Sequence, residues 1–275
     1  MAVPPFDPPA HPAGSPAVRR YAWLAVLVVG GALFLAVERT LVATRNPNLV
    51  PTAILLGAAV VPATFVAFIT GRRLPYSVGG AVIGAAAFLG GVIGVVVAGT
   101  LEFDAQRDLG ALPTVGIGLI EEISKLIIPA AVLLAFRQYR SSANGLLLGV
   151  AAGAGFAALE TMGYGFTTLL SSQGSITATV DVLLLRGFLS PAGHMAWTGI
   201  TAAALFDAAA GRRHGVRRFL GAFVLAVALH ALWDSQGSLI GTAVVAVVSL
   251  GVLAWTVHRV HRAADASQGS ATIRG

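Results

Sequence analysis

Apolar runs of about twenty residues recur along this chain, and no other feature limits its possible folds so strongly. Eight of them lie near residues 20–37, 49–70, 77–100, 112–136, 143–169, 190–210, 218–234 and 238–258. At 1.5 Å per residue, a helix of that length crosses a hydrocarbon core about 30 Å thick. Within hydrocarbon every backbone N–H and C=O has to be paired inside the protein, which a helix does within its own segment. The sequence therefore predicts an all-α, polytopic transmembrane helix bundle of about eight spans. Only 11% of the residues are charged, against about a quarter in a soluble domain. The segment 176–189, "ITATVDVLLLRGFL", is too short and too charged for a further span and is read as dipping into the outer leaflet.

The flanks differ in composition. Residues 1–18 are Pro-rich and 263–275 are polar, so both are expected to be disordered tails around a membrane domain at 19–262. Arginine sets the expected orientation. With the N-terminus inside, thirteen arginines fall on inner segments (such as Arg19, Arg20, Arg72, Arg73, Arg137, Arg140 and Arg274) and only Arg39, Arg45, Arg107 and Arg186 fall outside. That bias predicts cytoplasmic termini. No signal-peptidase site follows the first run, which is read as a retained anchor. The Ala-, Gly- and Arg-rich usage suggests a bacterial cell membrane. The arginines read as topology signals, so no nucleic-acid partner is expected. Cysteine is absent, which rules out thiolate chemistry and Cys-type zinc sites, and no phosphate- or dinucleotide-binding loop occurs.

Any chemistry must then reside in the spans, and the fourth is unusual. "GIGLIEEISKLIIPAAVLLAF" carries Glu121, Glu122 and the chain's single lysine, Lys125, amid apolar residues. A mid-helix charge costs about 2.5–3.5 kcal/mol on insertion scales, so these groups face protein or a wet cavity. Lys125 lies one turn from both glutamates, which are about 100° apart around the helix. One can pair with lysine while the other faces a cavity. Pro129 leaves the carbonyl of Lys125 without its helical partner. In the fifth span Gly145, Gly149 and Gly153 form a small-residue packing seam, and Glu160, seven residues on, shares that face. In "RGFLSPAGHMAWT", Ser190 and Pro191 look like the N-cap and first position of a helix, with His194 in its first turn and Thr198 one turn later. In "HALWD", His230 can bond to Asp234, fixing its tautomer. In this topology all of these groups lie in the outer half of the membrane.

Acids and histidines without an activated Ser or Cys point to activated water. A glutamate in a poorly solvated cavity can act as general base and then as acid toward a leaving amine, with histidines stabilising an oxyanion. Alternatively His194, His230 and a glutamate, taken as Glu122, hold one zinc ion with a position left for water. Both routes hydrolyse an amide, and both stay open. The absence of HExxH excludes a zincin helix.

The set Glu121-Glu122-x-x-Lys125, "GFAALE" ending at Glu160, "RGFLSPAGHMAWT" and "HALWD" resembles the PrsW family of bacterial intramembrane proteases. These are distant relatives of CAAX-processing and bacteriocin-processing membrane proteases. The resemblance covers about residues 110–236. It implies that Glu121 and Glu122 are catalytic and that Glu160, His194 and His230 complete the site. Lys125, Arg186, Thr198 and Asp234 are read as supporting residues. It also implies regulated cleavage of a single-span, membrane-anchored substrate, such as an anti-sigma factor, near its extracytoplasmic side. The family often has Glu-Asn where this chain has Glu160-Thr161. CAAX-type relatives carry Arg where the first motif ends and His where Glu160 stands, so prenyl-protein processing fits less well. The rival classes are a proton- or ion-coupled transporter and a non-catalytic membrane scaffold. Transporters usually show internal repeats with paired broken helices, and no repeat relates spans 1–4 to spans 5–8.

Overall fold

The apolar runs are helices in the computed structural model, which describes residues 16–72 and 74–272. In chain order they are α1 (Pro16–Thr44), α2 (Val50–Thr70), α3 (Gly80–Leu109), α4 (Thr114–Ala135), α5 (Ser142–Ser171), α6 (Ile176–Leu189), α7 (His194–Ala209), α8 (Gly215–Asp234) and α9 (Leu239–Thr272). Single 3₁₀ turns occur at Pro47–Leu49, Arg137–Tyr139 and Ser190–Ala192, and there is no strand among the described residues. Seven stretches are long and apolar enough to cross a membrane. Helix α4 is not one of them, because Glu121, Glu122 and Lys125 interrupt its apolar run. It nevertheless packs against α3, α5, α7 and α8 within the bundle. The fold is a polytopic helix bundle.

Helix α5 is its axis. Residues 143–154 are buried without interruption, which requires close neighbours on every side, and the glycines supply the room. A methyl group at Gly145 or Gly153 would lie 2.5 Å from the carbonyl oxygen of Ala202 or His194, and one at Gly149 would overlap that of Thr198. The seam thus meets α7 at positions four apart, residue for residue. On its other side α5 meets a second small-residue seam, with Gly90 and Gly91 of α3 against Ala152 and Gly155. Without a hydrophobic drive between helices in lipid, such close backbone contact is what holds a bundle together. Gly110, in the left-handed region at φ 73°, closes α3 by returning its N–H to the carbonyl of Gln106.

Three expectations change. The 263–275 tail was expected to be disordered, but α9 continues past Ala263 to Thr272, since extending a formed helix adds a hydrogen bond per residue ordered. Of the expected N-terminal tail, residues 1–15 lie outside the described residues, and α1 starts at Pro16. Arg73 and residues 273–275 also lie outside them. Ser190 and Pro191 do not start the sixth predicted span. Ser190 caps the end of α6, its hydroxyl donating to the carbonyl of Arg186 at 2.8 Å, and α7 begins at His194 after Gly193. Segment 176–189 is therefore the first half of one apolar stretch, Ile176–Ala209, broken at 190–193. The break sets His194 at depth within the bundle.

Candidate active site

Five helices bring ionisable groups to one end of the bundle. Glu121 is two turns into α4, about 10 Å from its start. Glu160 lies in the last half of α5, Arg186 in the last turn of α6, His194 at the start of α7, and His230 and Asp234 in the last turn or so of α8. The alternating directions of these helices place all of these positions on the same side, as the depth argument required.

Lys125 is the hub. Its side chain has no exposed surface, and its ammonium lies 2.8 Å from Glu122 Oε1, 3.0 Å from Glu121 Oε2 and 2.7 Å from His194 Nδ1. The Phe156 ring covers it at 4.4 Å from the centroid, adding a cation–π contact. An ammonium has donors only, so Nδ1 of His194 accepts. The ring proton of the neutral imidazole then sits on Nε2, which lies 2.9 Å from Glu160 Oε2. His230 is oriented differently: Nδ1 lies 2.9 Å from Glu122 Oε1, whose carboxylate can only accept. Glu122 therefore sets the tautomer of His230, not Asp234 as the i, i+4 spacing suggested. Asp234 stands 3.4 Å from Nε2. Trp197 stacks on His230, with ring centroids 4.7 Å apart, and anchors its own indole N–H on Ser249 Oγ.

The two glutamates separate as their 100° offset predicts. Glu122 is fully buried on Lys125 and His230, whereas Glu121 lines a cavity of about 670 Å³ together with Glu160, His194, Arg186 and Asp234. Arg186, counted from sequence among loop charges, pairs with Glu160 Oε2 at 2.8 Å and stacks over Tyr164 at 3.7 Å. Thr198 is buried in the α5–α7 seam and does not line this cavity. Two residues escaped the sequence reading. Glu102 was placed in an outer loop, but α3 runs to Leu109 and carries it to the cavity wall, where its Oε1 is buried. Tyr164 drew no reading from the sequence; it lines the cavity under the Arg186 guanidinium. A helix extended by two turns would have exposed the first, and nothing in the local sequence marks the second.

The donor set suits a cation. Glu121, His194 and His230 each offer one ligand atom, all within 4.8 Å of one another. His230 Nε2 and His194 Nδ1 lie 3.4 and 3.8 Å from Glu121 Oε2, close to the edge of a tetrahedron with bonds of about 2.1 Å. Each histidine has a carboxylate beside its other ring nitrogen, Glu160 at 2.9 Å from His194 Nε2 and Glu122 at 2.9 Å from His230 Nδ1, which is the usual outer-shell arrangement of metal-binding imidazoles. Glu121 Oε2 is buried and lacks a hydrogen bond of good directionality. The metal expectation therefore moves from Glu122, whose Oε1 is held by Lys125 and His230 and which has no exposed side-chain surface, to Glu121, which lines the cavity. The ammonium of Lys125 already touches two of the three donors, so a divalent cation there competes with it.

Comparison with known protein families matches residues 51–258 to the model described as PrsW family intramembrane metalloprotease. Comparison with curated proteins and with solved structures gives no match.

Proposed function

The chain belongs to the PrsW family of intramembrane metalloproteases, and on that premise we propose that it cleaves a single-span membrane protein with the residues around the 670 Å³ cavity. Peptide hydrolysis inside a multi-pass membrane protein follows from the family. The residue roles, the substrate and the side of cleavage are proposals. One observation carries them: in an otherwise apolar bundle, four carboxylates (Glu102, Glu121, Glu160 and Asp234), an imidazole and a guanidinium converge on one cavity from separate helices.

Glu121, His194 and His230 would hold a zinc ion, which when bound supplies Lewis acidity for water and the scissile carbonyl. The chain's own groups do the rest. Glu160, open to the cavity and held by Arg186 and His194 Nε2, takes the proton of the attacking water and returns it to the leaving amine. Arg186 holds Glu160 in place at 2.8 Å. Glu122 and Lys125 act through others, orienting the rings of His230 and His194 from below. In the absence of a metal, Glu121, which lines the cavity beside His194, would activate water itself.

An intact substrate helix hides its carbonyls in i→i−4 bonds, so the bond cut lies in an unwound or juxtamembrane stretch. The positive-inside arginines support cytoplasmic termini and an outward-facing cavity. Cleavage then falls near the extracytoplasmic surface, as in the first cut of regulated proteolysis of an anti-sigma factor, and leaves a transmembrane stub. The test is purified protein in liposomes with a single-span substrate. Glu121→Gln and Glu160→Gln should each abolish cleavage while accumulating normally, with Arg213→Ala as a control. Normal cleavage by either variant, or a membrane-retained product ending at mid-bilayer by mass spectrometry, overturns the assignment.

A further inference from the structure

A second cavity, of about 540 Å³, opens at the opposite end of the bundle, where α7, α8 and α9 diverge. Four arginines line it, Arg212, Arg218, Arg259 and Arg262; Arg259 is half-buried and the other three are exposed. One acid faces them. Asp207 lies 3.4 Å from Arg212 Nε and accepts the Ser142 hydroxyl at 2.7 Å. Among the described residues no carboxylate pairs with Arg218, Arg259 or Arg262, although Arg259 lies over the Trp255 ring at 4.7 Å. Three of these four guanidiniums thus have no acidic partner among the described residues.

The walls change character with depth in the same direction on each helix. On α9 the lining runs from Arg262 and Arg259 through Trp255 to Val252, ten residues or about 15 Å. On α8 it runs from Arg218 to Leu225, about 10 Å. On α7 it runs from Asp207 back to Ile200. A soluble anion needs the arginines but not an apolar shaft below them. An apolar partner helix needs the shaft but not a ring of unpaired cations. An amphiphile with a negative head and hydrocarbon tail needs both. Basic pockets between transmembrane helices suit phosphate headgroups, and Arg presents a planar fork to phosphate oxygens.

We infer that this cavity is a binding site for one anionic phospholipid, with its phosphate on Arg218, Arg259 and Arg262 and the start of an acyl chain between α7, α8 and α9. Neither the proteolytic site nor membership of the family bears on it. The experiment uses the full chain in detergent, with phosphatidylglycerol and phosphatidylcholine added in equal amounts and adducts counted by native mass spectrometry. The expected result is a phosphatidylglycerol adduct that survives delipidation, without a phosphatidylcholine counterpart and without displacement by inorganic phosphate. Arg218→Gln/Arg259→Gln/Arg262→Gln should weaken it by on the order of a hundredfold, if each arginine contributes what a basic residue does at an anionic surface. The charge-matched control Arg137→Gln/Arg213→Gln/Arg217→Gln, exposed and outside the cavity, should keep it. Five of the six positions are exposed and Arg259 is half-buried over Trp255; both triples should fold, and circular dichroism checks that each keeps the wild-type helicity. Equal retention of both lipids, equal losses in the two triples, or displacement by inorganic phosphate would each overturn the inference.

Discussion

Replacing Lys125 with methionine keeps most of the side-chain volume and removes only the charge and its three donors. The ammonium touches Glu122 Oε1 at 2.8 Å, Glu121 Oε2 at 3.0 Å and His194 Nδ1 at 2.7 Å, and neither Lys125 nor Glu122 has exposed side-chain surface. Without it Glu122 keeps one partner, His230 Nδ1, and a second carboxylate, Glu121, stands beside it uncompensated. Removing one member of a buried ion pair costs about 3–5 kcal/mol, because the other charge stays desolvated and unpaired. Lys125→Met should therefore lose about that much stability. Adding Glu122→Gln should recover most of it, since exchanging both charged partners for neutral groups of similar shape is close to neutral. The assay is reversible unfolding in mixed micelles with increasing dodecyl sulfate, reading helicity for the wild type, both single variants and the double variant as a cycle. If Lys125→Met unfolds with the wild type, or Glu122→Gln gives no recovery, the hub reading of Lys125 is wrong.

Other outcomes follow from the same structure. Gly149→Leu, whose side chain would overlap the Thr198 carbonyl, should separate α5 from α7 and abolish accumulation of folded protein, whereas Gly99→Leu, where the added carbon meets open space, should accumulate normally, as read by detergent size-exclusion profiles. If Glu121, His194 and His230 hold zinc, purified protein should contain about one equivalent by elemental analysis, and His230→Ala should lose it; full activity after chelation would leave Glu121 as the sole activator of water. Reporter fusions after Arg140 and Arg218 should read as cytoplasmic and one after Ser172 as extracytoplasmic, and a reversed pattern would remove the support for cutting at the outer face.

Much of this architecture was legible because bilayers impose simple rules. Apolar length gave the crossings, arginine bias gave an expected orientation, and the cost of charge in hydrocarbon marked Glu121, Glu122, Lys125 and Glu160 as facing inward. The four-residue glycine spacing of α5 even named the face on which Glu160 meets His194. Local pattern could not say where a helix begins when a strong stop and start signal lies inside an apolar run. Ser190 and Pro191 were therefore read as a cap, while packing set the break at Gly193. Nor could it say which of two adjacent glutamates meets water. That depends on how α4 is rotated against α7 and α8, and rotation is a property of neighbours that are distant in sequence. The pairing of His230 with Glu122 at 2.9 Å, over the i, i+4 partner Asp234 at 3.4 Å, has the same origin. Sequence periodicity fixes which residues share a helix face. Only the packing of that face against others, paid for by close backbone contact at glycine, decides which polar atoms meet.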